Sequence, residues 1–412
     1  MEELQRKADK GDAEAQYMVG KAYFTGSGVS KNTEEAVTYW KKAASQGHSE
    51  AQYFLGISYD TGKGVAKDDG KAAHYYRLSA AQGHSEAQAN LAAMLLVGRG
   101  IEKNEKQARK WYGKAAVSGN IYACAIYGKM LFDGIGGNVD RKTAIAWFKH
   151  ASAKEEKQSQ YFLALEYLSG KNVEKKFNKA FVLFEKSAKS GYVPSQFELG
   201  ESFFYGRGVK QDFKLAVRWY RMAAESDFVL AQYYLACMYG NEQGVQKDKT
   251  EICKWMRKAA ENGYPPAQHI YGMMLYKGRD AEKNISEAEK WLTCAANQGG
   301  QESMFLIGDL FLNGENNIKN FEKAVCWTKK SAQKGYPLAQ YNMGYIFQTG
   351  KGVPADPSKS YFWYYLAARG AENNFGELKE KAAQACDLMK NEITSEKLTS
   401  VHEHIRLWKP VV

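Results

Sequence analysis

The chain has no long hydrophobic run. None of its 412 residues falls in an apolar stretch near the 18 that a membrane helix needs, and the mean hydropathy is −0.54, so no membrane span is expected. The opening residues, Met1-Glu2-Glu3-Leu4-Gln5-Arg6-Lys7, lack the apolar centre of a secretion signal. The chain as written therefore reads as cytoplasmic, or as periplasmic or secreted where a signal has been removed. Cysteine is scarce: the six residues do not recur in register and form no C-x-x-C, which argues against a disulfide framework and a zinc site. One pair stays open. Cys237 falls late on one expected helix and Cys253 early on the next, and a helical hairpin can bring such positions within bonding range.

Catalytic and cofactor signatures are missing as well. His402-Glu403-His404 is not H-E-x-x-H, and residues two apart lie on different sides of a helix. Gly98-Arg99-Gly100 and Gly206-Arg207-Gly208 resemble phosphate loops but lack a third glycine and a preceding strand. There is no Gly-x-Ser-x-Gly and no Cys/His pairing that suggests a nucleophile. No enzyme activity, cofactor, metal or small-molecule substrate is expected.

What the chain has is a period. Steps of 36 residues from Gly11 reach Gly47, Gly83, Gly119, Glu155, Gly191, Asp227, Gly263, Gly299 and Gly335. A fixed period of about 20 to 50 residues marks a solenoid or array. Within one period, Ala13, Ala15, Val19, Gly20 and Tyr23 follow helical spacing and define a helix A. A loop with Gly26 and Gly28 follows, then a helix B carrying Ala36, Tyr39, Trp40, Ala43 and Ala44. Gly47 lets the chain turn and restart.

Aligned by period, the residues form columns. Asn32, Asp68, Asn104, Asp140, Asp212, Asp248, Asn284, Asn320 and Asp356 precede helix B as N-caps, and only Lys176 breaks the column. Glu35, Gln107 and Glu287 stand at capping-box spacing. Gly20, Gly56, Gly128, Gly200, Gly272, Gly308 and Gly344 recur inside helix A, where glycine costs about 1 kcal/mol against alanine, so a close helix approach is expected there. Trp111, Trp147, Trp219, Trp255, Trp291, Trp327 and Trp363, with Tyr39 and Tyr75, form an aromatic column read as the core seam between units rather than a stacking ladder for sugars or bases. The formal net charge is +11, but the charges follow the same grid. Glu14, Glu50 and Glu86 open A helices, while Lys41, Arg77, Lys149, Arg221, Arg257 and Lys329 close B helices, as the helix dipole favours. The basic excess is thus largely a regular solvated stripe. With no recognised module beside it, the stripe weighs against nucleic acid as the partner.

The recurring unit, seen as Ala51-Gln52-Tyr53-Phe54-Leu55-Gly56, Gly62-Lys63-Gly64-Val65, Asp68 and Ala72-Ala73, resembles the Sel1-like repeat, a relative of the tetratricopeptide repeat. The resemblance covers about residues 5 to 370. It implies an all-α fold, a right-handed α-α superhelical solenoid of about ten units with A helices on the concave side and a C-terminal helical cap. It also implies a bacterial adaptor or scaffold without catalytic residues. The expected organisation is a half-unit at 1–11, repeats at 12–47, 48–83, 84–119, 120–155, 156–191, 192–227, 228–263, 264–299, 300–335 and 336–370, and capping helices at 371–412. Glu377–Lys390 reads as one such helix, and a second starts at Ile393 and runs to Trp408. Several units depart from the pattern: Glu155, Ala164, Lys176 and Asp227 replace their column residues, and Asp280 and Asn316 replace the second loop glycine.

The function expected is a binding scaffold that grips a protein or extended peptide, acidic where the basic surface is used. Specificity then belongs to columns that vary. One runs Lys21, Ile57, Ala93, Lys129, Leu165, Glu201, Cys237, Met273, Asp309, Tyr345. Its apolar members Ile57, Leu165, Met273 and Tyr345 either contact a partner or pack between neighbouring helices. An immunity or adaptor protein for a secreted toxin or effector is the first specific reading. A secreted effector or surface protein that binds a host protein is the second, and a basic nucleic-acid binder is the competitor from another class.

Overall fold

Each 36-residue unit folds as a helical hairpin. The computed structural model describes residues 1–314, 319–371 and 376–411, which form 23 α-helices and no strand. Two compact units divide the chain, Met1–Asp212 and Phe213–Val412. The first holds α1 (Glu2–Asp9), the pairs α2 (Ala13–Thr25) and α3 (Thr33–Ser45), α4 (Ser49–Thr61) and α5 (Asp69–Ala81), α6 (Ser85–Val97) and α7 (Glu105–Val117), α8 (Ile121–Asp133) and α9 (Arg141–Ala153), α10 (Lys157–Ser169) and α11 (Phe177–Lys189), then α12 (Val193–Tyr205). The second holds α13 (Phe213–Glu225), the pairs α14 (Val229–Gly240) and α15 (Lys249–Glu261), α16 (Pro265–Lys277) and α17 (Ile285–Asn297), α18 (Gln301–Asn313) and α19 (Phe321–Gln333), α20 (Pro337–Thr349) and α21 (Pro357–Gly370), then α22 (Gly376–Lys390) and α23 (Ser395–Leu407). Helices of 13 residues, such as α2 and α3, are marginal alone in water, so packing must hold them. Within each unit every helix up to α22 packs on its neighbour in sequence, and α23 packs on α21. Successive A helices also touch directly, α4 with α6 and α18 with α20.

The cap column behaves as expected at Asn32, Asp68, Asn104, Asp140, Asp248, Asn284, Asn320 and Asp356, whose side chains accept first-turn N–H groups. Lys176 makes no such bond. The capping boxes are a correction. The N-cap N–H is taken by a helix A carbonyl nine residues earlier, Tyr23 for Asn32, Tyr59 for Asp68 and Leu275 for Asn284. A glutamate at N3 then has no backbone donor left to serve, and Glu287 accepts from Trp291 Nε1 at 3.3 Å instead.

The helix A glycines sit where the hairpin closes. A Cβ at Gly56 would lie 2.5 Å from Cδ1 of Tyr76, and one at Gly20 would lie 2.6 Å from Trp40. The bulky partners are Trp40, Tyr76, Phe148, Leu292 and Tyr364, each at most 1% exposed. This corrects the aromatic column. The seam of each hairpin is formed by the residue after the tryptophan position, while Tyr39, Tyr75, Trp111, Trp147, Trp219 and Trp327 are only half-buried. Those half-buried rings lie against their own hairpin, as in the stacking of Tyr59 on Tyr75 at 5.7 Å, or under lysines, as with Lys114 over Trp111 at 4.3 Å. Trp255, Trp291 and Trp363 are buried.

A polar ladder crosses this core. The buried glutamine that opens most of the motifs (Cys124 and Met304 replace it in two) donates to a carbonyl eight residues back: Gln16 to Ala8, Gln52 to Ala44, Gln88 to Ala80, Gln232 to Ala224, Gln268 to Ala260 and Gln340 to Ala332. Its Oε1 accepts from the residue thirty positions on when that side chain is long enough. Gln46 reaches Gln16, Gln82 reaches Gln52, Asn262 reaches Gln232 and Gln298 reaches Gln268, at 2.8–3.0 Å. Where the position holds Ser118, Ser190 or Gly370, the Oε1 of Gln88, Gln160 or Gln340 has no partner.

Candidate partner-binding surface

The variable column lies along the A helices. Ile57, Leu165, Met273 and Tyr345 are all half-buried, so each has one side in the protein and one in solvent. Ile57 packs against the core built from α4 to α8. Leu165 borders a recess of about 450 Å³ with Phe132, Arg141, Glu166 and Asn172. Tyr345 packs against the core of its unit, and its hydroxyl accepts from Lys351 Nζ at 2.7 Å. Ile57 and Leu165 stand three periods apart in the first unit, and Met273 and Tyr345 two apart in the second, so they mark a face rather than converge on one pocket. Column neighbours are already engaged: Lys129 with Asp133, and Asp309 with Asn313 and Tyr276.

Beside Leu165 lies a charged group that sequence reasoning passed over. Glu166 is 6% exposed, and its Oε2 accepts from Asn172 Nδ2 at 2.7 Å. The available signal was its column, which holds Met94, Met130, Met238 and Met274 in other repeats. Glu198 on α12 is a second case, standing where other repeats carry Phe54, Ile126 or Phe162. Burial, reinforced by the like charge of Glu201, pushes its carboxyl up to about 7.

The other motifs resolve into structure. Arg99 of the Gly98-Arg99-Gly100 loop is held by Asp60 and by Asp69, the latter at 3.2 Å, and Arg207 lies over the Tyr205 ring at 4.3 Å. The second loop glycine is needed because the loop sits on the preceding B helix; a Cβ at Gly64 would fall 2.2 Å from the Thr33 carbonyl oxygen. Asp280 takes this place in its repeat at φ 63°, and Asn316 lies outside the described residues. His48 and His84 are N-caps of α4 and α6, with Nδ1 accepting from Ala51 and Ala87. His402 meets the Tyr361 hydroxyl at 3.2 Å. All six cysteines are free; Cys237 and Cys253 face different tyrosines, Tyr233 and Tyr271. Among the described residues no three His, Cys, Asp or Glu side chains converge as a metal site, and no helix is long and apolar enough to cross a membrane.

Comparison with known proteins gives a consistent result. A model of the Sel1 repeat matches ten consecutive segments, from 13–48 to 337–371. Among solved structures, c5321, a protective antigen of uropathogenic Escherichia coli with an SLR fold, is 29% identical with a TM-score of 0.78, over 99% of this chain and 87% of its own. A Sel1 repeat protein from Oxalobacter formigenes is 27% identical with a TM-score of 0.59, over 75% of this chain and 90% of its own. Comparison with the curated proteins returned no match.

Proposed function

Because the chain belongs to the Sel1 repeat family, we propose that it is a non-enzymatic scaffold whose A-helix face grips a protein or an extended peptide. The observation that carries this reading is the division of labour among columns. The positions that hold the hairpins together, glutamine, glycine, alanine and N-cap, recur with few exceptions, whereas the half-buried column of Ile57, Leu165, Met273 and Tyr345 changes at every repeat. A solenoid that keeps its joints and varies one face has that face for recognition. Two bacterial readings remain, an immunity or adaptor protein for a secreted toxin or effector and a secreted effector or surface protein that binds a host protein.

The test is affinity capture with the intact chain, repeated with Leu165→Asp and Tyr345→Asp. A stoichiometric protein partner that survives moderate salt, and is lost from either variant while its melting temperature is kept, supports the reading. If every such change lowers the melting temperature sharply, the column is packing and the reading fails. Capture of nucleic acid alone, released by moderate salt, would assign function to the lysine and arginine stripe instead.

A further inference from the structure

Helix α7 departs from its repeat in a way that packing does not require. Where α3 carries Glu34, Val37, Thr38 and Lys41, α7 carries Lys106, Arg109, Lys110 and Gly113. Spacings of three, four and seven place these on one helix face. With Lys114 they border a recess of about 760 Å³ whose other walls are Gln88, Tyr127 and Trp147.

Three features characterise this recess, the third shared with the repeats of Gln160, Gln196 and Gln340. First, Arg109 occupies a seam position. Val37, its counterpart, sits in a core cluster against which Val65 packs. At the equivalent contact Arg109 meets Gly137, where a Cβ would stand 2.9 Å from the guanidinium Nη1. The residues at these two positions, Val37 and Val65 in the earlier repeat, are thus exchanged for a guanidinium and a glycine, and Arg109 donates to the Asn138 carbonyl at 2.9 Å. Second, none of Lys106, Arg109, Lys110 and Lys114 forms a direct ion pair among the described residues, although the charge of Arg109 is felt by Asp140. The nearby acids are committed: Glu105 is paired with Lys103 at 2.8 Å, and Asp140 caps α9. Third, the wall holds a polar side chain with spare capacity. Gln88 is 5% exposed and its Oε1 has no hydrogen-bond partner. Gly113 keeps the recess open toward the Tyr127 ring, 3.1 Å from where its Cβ would be.

We infer that this recess docks an acidic segment of a protein partner. The segment's carboxylates meet Lys106, Arg109, Lys110 and Lys114, and an apolar side chain lies against Tyr127 and Trp147. A peptide supplies both the carboxylates that the cations lack and an N–H donor of the kind that Gln88 Oε1 lacks, whereas a phosphodiester backbone supplies only the anions. The recess is built on a B helix and does not use the variable A-helix column, so this inference and the scaffold reading fail independently.

The test is fluorescence anisotropy on the full chain with a labelled peptide of Asp and Glu around a central Leu, and in parallel with a labelled oligothymidylate. The variant Lys106→Glu/Lys110→Thr installs the residues that α3 carries at these exposed positions. The control Lys10→Glu/Lys31→Thr removes the same charge elsewhere. Peptide affinity should fall about fivefold or more in the recess variant and less than about twofold in the control. Bound peptide should also slow amide exchange across 105–118. Equal weakening in both variants, no peptide binding at low salt, or tighter binding of oligothymidylate with the same loss in the recess variant would each overturn the inference.

Discussion

The glutamine ladder makes a quantitative demand on the first unit. Gln82 Nε2 donates to Gln52 Oε1 at 2.8 Å and to the Gly47 carbonyl at 2.9 Å. Gln52 is 4% exposed and donates in turn to Ala44. Gln82→Ala removes a buried bond worth about 1 kcal/mol and strands an acceptor at about 1 kcal/mol more, so it should destabilise by about 2 kcal/mol. Gln52→Met installs the residue that Met304 supplies at the equivalent position and leaves Gln82 only the Gly47 carbonyl to bond. The double variant therefore has no stranded Oε1, and its cost should fall short of the sum of the singles by about 1 kcal/mol. Urea unfolding gives the global figure. Native-state exchange of amides between 43 and 88 gives the local one, which matters because a repeat array can lose cooperativity. Additivity within about 0.3 kcal/mol would refute the claim that the two side chains act as one unit.

Other consequences can be measured in the same way. Gly56→Ala gains helix propensity but pushes a methyl against the buried Tyr76 ring, so net destabilisation of about 1–3 kcal/mol is expected in urea unfolding, and a stabilised variant would contradict the close-approach argument. Glu198 has a folded-state carboxyl raised to about 7 from an ordinary 4.5. The native state therefore binds the extra proton, and its contribution is full below about pH 4.5 and lost as pH rises through 7. Glu198→Gln should stabilise at pH 8 and remove that slope, and an unchanged pH profile would count against the assignment. The fifth repeat lacks a side-chain cap at Lys176 and enters from Glu155 at φ 61°, so amides at 153–180 should exchange faster than those of the flanking repeats.

Much of this architecture was legible because it repeats. Nine copies of a cap and eight of a repeat-end glycine turn a weak local preference into a column, and the helices follow, including α22 and α23 beyond the grid. The aromatic column was misassigned because two adjacent positions both carry bulky residues. Tryptophan is the more conspicuous, but the position after it is the one that faces the helix A glycines, as at Trp40, Tyr76, Phe148, Leu292 and Tyr364. The capping box failed because its donor is taken by a carbonyl from another helix, a tertiary fact that spacing does not carry. For the candidate surface, the sequence pointed to the variable positions but not to their half-burial. Glu166 and Arg109 were passed over, though each is a charge in a largely apolar column, and their meaning comes from what each touches.

The seating of the loop glycines has one more consequence. Gly64, Gly100 and Gly136 rest on the main chain of Thr33, Asp69 and Glu105, so neighbouring hairpins meet backbone to backbone at these points. Backbone contacts are indifferent to whatever side chains the helices carry outward. The array therefore works as a rack with fixed slots: a slot can be refitted, as α7 has been, without moving the slots beside it. A protein built this way can acquire new recognition surfaces by point substitution, or gain whole slots by duplication of 36 residues, because each joint involves only adjacent hairpins.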